Sequence, residues 1–154
     1  MTAMLTNRTI FIDTWAILAL ANRRDRYHKI AINAYNEIER REYHMVTSDY
    51  ILDEVITSLF KNVNFDGAFQ FVDALLSAVK MEQLDLQWVD ESRFNSAWSL
   101  RGNYQDKPDI SFTDLTSFVI MKELGVNKVF TGDQHFEMIN FGFEIWPKNS
   151  PERV

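Results

Sequence analysis

The chain has 154 residues, 46% of them hydrophobic, with 16 Lys and Arg against 22 Asp and Glu and a formal charge of −6. A chain of this size is expected to form one domain over residues 1–154, burying roughly 68–70% of the surface its unfolded form exposes. Having no cysteine, it can form neither disulfides nor thiolate metal sites, and no apolar run reaches the roughly 18 residues that a membrane span requires. Residues 1–6 lack the basic and apolar regions of a signal peptide, so a cytoplasmic protein is expected. The acidic balance argues against a general basic coating for nucleic acid but leaves local basic clusters free to bind it.

Thr9, Ile10, Phe11 and Ile12 form a short β-branched and aromatic run that stops at Asp13, the pattern of a buried strand. A helix is expected over residues 14–21 and another over 27–40, where Ile30, Ala31, Ala34, Tyr35 and Ile38 recur at helical spacing. Residues 44–47 read as a second strand. Ser48 and Asp49 then supply an N-cap for a helix over 50–61 carrying Ile51, Leu52, Val55, Ile56, Leu59 and Phe60. Residues 65–80 are helical, 84–89 alternate as a strand, and 90–100 are helical again. After a loop over 101–110, Ser111 opens an apolar helix that Gly125 ends as a C-cap. Residues 128–131 form a strand close to Asp133, followed by a short helix and a last strand over 143–146. Strands alternating with helices predict an α/β protein with a central, mainly parallel sheet covered on both faces.

In such sheets ligands bind outside the carboxyl ends of the strands. Asp13 and Asp133 follow strands, Asp114 lies in the first turn of the Ser111 helix, and Glu54 lies in the second turn of the helix after residue 47. Each acid also has a plain structural reading: Asp13 and Asp133 as N-caps, Asp114 as half of a capping box with Ser111, Glu54 as a solvated helix residue. On a helical wheel Glu54 points roughly 150° and Asp53 roughly 110° from the apolar face, so Glu54 faces either water or a solvent-filled cleft.

Four strings stand in order along the chain: Ile10-Phe11-Ile12-Asp13-Thr14, Thr47 through Glu54, Ser111-Phe112-Thr113-Asp114, and Phe130-Thr131-Gly132-Asp133-Gln134-His135-Phe136. Together they resemble the PIN-domain nucleases, and in particular the small toxins of the VapC type. The resemblance covers residues 9–146 and implies a three-layer α/β/α fold. It carries over Asp13, Glu54, Asp114 and Asp133 as catalytic and metal-binding acids, with Asp53 as the substitute for Glu54. The family's segment before Ser-x-x-Asp often reads Asp-Lys-x-x-Ser. Here Asp106-Lys107-Pro108-Asp109-Ile110-Ser111 is one residue longer, leaving open which of Asp106 and Asp109 matches.

Four gathered carboxylates repel one another unless a divalent cation neutralises them, and an all-oxygen set suits Mg²⁺ or Mn²⁺ rather than Zn²⁺. The resemblance therefore implies a ribonuclease that cleaves phosphodiesters with a metal-activated water. Thr14 and Thr131 are expected to hold the carboxylates in place. Arg23, Arg24, Arg26 and Lys29 form a local basic run, and Lys107 precedes the Asp114 helix. They either grip RNA phosphates, with Trp15 or Tyr104 stacking on a base, or are a solvated helix end beside core aromatics. His28 and His135 are read as structural, the second able to join only by hydrogen bonding near Asp133. The resemblance also implies an antitoxin partner and a homodimer, for which the apolar stripes over 30–38 and 51–60 supply either a face or simply core. The alternatives are a PIN-domain nuclease of RNA processing and a PIN-like module that binds RNA or protein without cutting. A module would be expected to show a degenerate acidic set, whereas all four positions are acidic here. A phosphatase with Asp13 as nucleophile ranks last, because Trp15 stands where such enzymes carry a second Asp.

Overall fold

A computed structural model describes residues 8–147; residues 1–6, read above as lacking a signal peptide, lie outside the described residues. The order is β1 (Thr9–Ile12), α1 (Thr14–Ala21), α2 (His28–Arg40), β2 (His44–Ser48), α3 (Asp49–Asn62), α4 (Phe65–Lys80), β3 (Asp85–Gln87), α5 (Glu91–Arg101), α6 (Phe112–Leu124), β4 (Lys128–Phe130), α7 (His135–Met138) and β5 (Glu144–Trp146). The five strands form one sheet in the order β3-β2-β1-β4-β5, and every pairing is parallel, so the mainly parallel sheet that was expected is parallel throughout.

β1 lies at the centre, and all four of its residues are buried, which is why its sequence is apolar at consecutive positions rather than alternate ones. Helices flank the sheet in the three-layer α/β/α arrangement that the resemblance implies. α1 packs on α2 and α3, α3 on α4, and α5 on α6. The caps form where the sequence places them. Ser48 Oγ accepts from Ile51 N at 3.2 Å, and Gly125 takes the left-handed conformation, with φ 69°, that lets the chain leave α6. α6 is buried at every position from Asp114 to Met121.

One expectation needs correction, and one open alternative is resolved. The strand expected over 84–89 is only Asp85–Gln87, because β3 is an edge strand that pairs with β2 over three residues. Beyond them the chain turns away, with Val89 N donating to Asp49 Oδ1 at 2.8 Å. The apolar stripes over 30–38 and 51–60 go largely to the core, where Ala31, Ala34, Ile38, Ile51, Leu52, Val55 and Leu59 are all buried. Phe60, at 38% exposure, is what the second stripe leaves outside, where its ring meets that of Phe65 on α4, which in turn stacks on Phe69. Among the described residues no helix is long and apolar enough to cross a membrane.

Strand order sets the position of the site. The chain steps outward from β1 to β2 and β3, then returns to the other side of β1 for β4 and β5. The reversal falls between β1 and β4, and the crevice beyond their carboxyl ends is where such sheets bind ligands.

Candidate active site

Asp13 and Thr131 occupy that crevice, one residue beyond β1 and β4. Asp13 N donates to Phe130 O at 3.1 Å, continuing the pairing of Ile12 with Phe130. Although Asp13 stands at the N-cap position of α1, its side chain caps nothing. Its Oδ2 instead accepts from Thr131 Oγ1 at 2.7 Å, and the residue is only 3% exposed. The Thr131 hydroxyl also accepts from Asp133 N at 2.9 Å, while Thr131 N donates to Trp146 O at 2.9 Å. A single hydroxyl thus ties the ends of β1 and β4 to the turn that carries Asp133.

Asp114 is brought to the same crevice by the start of α6. The capping box is present: Ser111 Oγ accepts from Asp114 N at 3.0 Å, and Asp114 Oδ2 accepts from Ser111 N at 3.1 Å. The same oxygen accepts from His135 Nδ1 at 2.7 Å, so the capping role and a place in the cluster coexist. Asp133 Oδ1 accepts from His135 N at 2.8 Å and lies 3.2 Å from His135 Nδ1. Asp114, Asp133 and His135 each offer a ligand atom, all within 4.8 Å of one another.

Glu54 is half-buried and accepts at Oε1 from Thr14 Oγ1 at 2.7 Å, which attaches it to the residue after Asp13. Asp53 is exposed. Asp109 lines a cleft of about 570 Å³ with Trp15, Asp133 and His135, whereas Asp106 is exposed and pairs with Lys107 Nζ at 3.0 Å. Of the two acids in the longer segment, it is Asp109 that faces the crevice.

The electrostatics follow from the crowding. Burial, then the charges of Asp114 and Asp133, push the Asp13 carboxyl from 3.8 up to about 8, against the Thr131 hydrogen bond. Asp114 is raised by burial and by Asp133, and is held back by Ser111 N and His135. With its side chains alone, the protein does not stabilise these carboxylates as anions. A small, hard cation among the oxygens would reverse that penalty, so the donor set fits such an ion.

The basic candidates lie beside the crevice rather than in it. Arg23, Arg24, Arg26 and Lys29 are exposed. The Arg26 guanidinium sits over the Tyr27 ring at 5.0 Å, and Tyr27 packs on Trp15 with centroids 5.5 Å apart. Trp15 lines both a small depression shared with Arg26 and Tyr27 and the cleft of Asp133 and His135. The indole covers Gly132, where an added Cβ would fall 2.3 Å from a ring carbon of Trp15. Lys107, besides its pair with Asp106, has its ammonium 5.9 Å from the Tyr104 ring. His28 Nδ1 bonds Ala19 O at 2.7 Å, a structural contact within the fold.

One positioning residue escapes sequence reasoning. The Arg101 guanidinium donates to Ile110 O at 2.6 Å, Tyr104 O at 2.7 Å and Lys107 O at 2.8 Å, clamping the loop that delivers Ser111 and Asp114. Its partners are backbone carbonyls, which leave no residue signature. His135 did carry a signal, its spacing of two from Asp133, but not one that shows which way the ring turns.

A parallel sheet with a reversal at β1 and β4, and an acidic crevice at that reversal, define the class. The PIN domain model matches residues 10–142, and the chain belongs to that family. It is 27% identical over 139 residues, 90% of this chain and 99% of the relative, to the 23S rRNA-specific endonuclease VapC20 of Mycobacterium tuberculosis. The fold matches the crystal structure of M. tuberculosis VapC20, a sarcin-ricin loop cleaving toxin, with a TM-score of 0.72 and 24% identity over 84% of this chain and 93% of that one. It also matches a DNA-bound VapBC from Salmonella typhimurium, with a TM-score of 0.62 and 15% identity over 89% and 96%.

Proposed function

We propose that the protein is a divalent-cation-dependent endoribonuclease, the toxin of a toxin–antitoxin pair, that hydrolyses RNA phosphodiester bonds. The observation that carries this reading is the convergence of Asp13, Asp114 and Asp133 from three separate elements, with the Asp13 carboxyl pushed up to about 8 by burial and by the other two charges. Its likeness to a 23S rRNA-specific endonuclease over nearly the whole of both chains supports RNA as the substrate.

In this reading Asp13, Glu54 and Asp114 hold the principal Mg²⁺ or Mn²⁺, and Asp133 binds it directly or through water, or helps place a second ion. Such an ion, when bound, supplies a water of lowered pKa and positive charge for the phosphate oxygens. The chain's own part is to aim the donors. The Thr131 hydroxyl fixes the Asp13 carboxylate, Thr14 fixes Glu54, and the capping box fixes Asp114. Arg23, Arg24 and Arg26 grip the phosphates flanking the cut, and Trp15 offers a face to an unpaired base. Lys107, its ammonium already on Asp106, adds less. An antitoxin that covers the crevice and a homodimer of this chain complete the proposal, and the likeness to VapC20 and VapBC supports the antitoxin.

The test is cleavage of total cellular RNA and intact ribosomes by the purified protein with Mg²⁺, Mn²⁺ or EDTA, alongside Asp114→Asn. Fragments that require the cation and vanish in the variant are expected. Cutting that persists in EDTA or in Asp114→Asn would overturn the reading, as would no cleavage of either substrate with either metal.

A further inference from the structure

The cluster contains one donor that an all-carboxylate site does not need. We propose that His135 Nδ1 is a direct ligand of the bound cation, and that this nitrogen biases the site toward Mn²⁺ over Mg²⁺. The inference rests on the metal-binding reading above and extends it to a residue of a different chemical kind.

The geometry suits coordination as well as a hydrogen bond. Around an octahedral ion with ligands at about 2.1 Å, adjacent donors sit roughly 3 Å apart. His135 Nδ1 lies 2.7 Å from Asp114 Oδ2 and 3.2 Å from Asp133 Oδ1, the spacing of neighbouring ligands on one ion. The imidazole is held in that place from two sides. Asp133 Oδ1 accepts from the His135 backbone N–H at 2.8 Å, and the next residue, Phe136, is 1% exposed, its ring meeting those of Phe118 and Phe143. Without an ion, Nδ1–H donates to Asp114. With the ring proton on Nε2, the Nδ1 lone pair faces the same spot, so the change needs only a tautomer shift.

Ligand chemistry then sets the preference. Carboxylates alone discriminate little between Mg²⁺ and Mn²⁺, whereas imidazole nitrogen favours the transition ion. The other two histidines are engaged elsewhere, His28 on Ala19 O and His44 on Asp85 at 3.0 Å, so a nitrogen seen on the ion is assignable.

The experiment titrates Mn²⁺ into the full chain and follows free ion by electron paramagnetic resonance, with pulsed spectra read for ¹⁴N coupling and Mg²⁺ used as competitor. His135→Ala is compared with His135→Gln, which keeps a hydrogen-bonding side chain next to Asp114. Wild type is expected to show directly coordinated ¹⁴N. Both variants should lose that coupling, still bind Mg²⁺, and lose about tenfold of the Mn²⁺ preference, the scale on which single residues at metal sites act. Mn²⁺ bound by wild type without ¹⁴N coupling, coupling retained in either variant, or an unchanged Mn²⁺/Mg²⁺ ratio would overturn the inference and leave the nuclease reading standing. Wild type that binds neither ion would overturn both.

Discussion

Replacing Asp13 by Asn tests whether the protein's own groups leave the acidic cluster unbalanced. The Asp13 carboxyl is raised from 3.8 to about 8, chiefly by burial and then by Asp114 and Asp133. A raised acid favours the folded state while it keeps its proton. Its contribution is complete below pH 3.8, where both states are protonated, and is lost as the pH climbs toward 8. At pH 7 the unfolded chain has given up a proton that the folded site retains. The interval of roughly three units, at 1.36 kcal/mol per unit, amounts to about 4 kcal/mol of lost stability. Asn is nearly the same shape, can still accept from Thr131, and carries no charge. In EDTA at pH 7 the variant should therefore melt higher, by roughly 10 °C for a domain of this size. The assay is thermal unfolding from pH 4 to 9 in EDTA and again with Mg²⁺. Wild type should lose stability across that range while Asp13→Asn stays flatter, its remaining slope coming from Asp114, which is raised in the same direction. The two should converge near pH 4, and Mg²⁺ should raise wild type more than the variant. Parallel curves from pH 5 to 8, or a variant less stable at pH 7, would refute the reasoning.

Thr131→Val removes the hydroxyl that donates to Asp13 and accepts from Asp133 N, and should cost about 1–3 kcal/mol in chemical denaturation. RNA cleavage should fall more steeply than that stability loss alone would explain. Gly132→Ala drives a methyl against the Trp15 indole and should cost about 1–3 kcal/mol, with most of the loss restored by adding Trp15→Leu in a double-mutant cycle. Replacing Arg23, Arg24 and Arg26 by Ala in an Asp114→Asn background, with EDTA present, should weaken RNA binding and flatten its dependence on salt, measured by fluorescence anisotropy. An unchanged slope would return these arginines to the solvated surface.

The elements read well from the sequence where their signals are local. Ser48 and Ser111 cap their helices through hydrogen bonds that span three residues, and Gly125 supplies a backbone conformation that few other residues adopt. β3 reads too long because alternation of Leu84, Leu86 and Trp88 records which residues could face a neighbour, not how far β2 runs beside them. At the site, the order of the four motifs marks Asp13, Asp114 and Asp133, which the fold does gather. Their separation along the chain hides what joins them: the Thr131 hydroxyl meets Asp13 across 118 positions. The reading of His135 as structural missed its contact with Asp114, because a ring's direction depends on tertiary packing and not on spacing. Glu54 faces away from the apolar side of α3, as the wheel has it, and meets Thr14 there.

The Arg101 clamp has a consequence for how this rim can change. The segment from Gly102 to Ile110 has no helix or strand to fix its length, yet it must deliver Ser111 at a set height above the sheet. It is measured by three carbonyls meeting one guanidinium rather than by a count of residues. The capping box at the first turn of α6 forms directly after the last of those contacts, at Ile110. Gln105, Asp106 and Pro108 are exposed along that segment, while Asp109, also exposed, lines the cleft. The placement of Asp114 beneath the mouth of the crevice therefore hangs on one half-buried guanidinium as well as on its own cap, so the loss of Arg101 would loosen the acid from a distance.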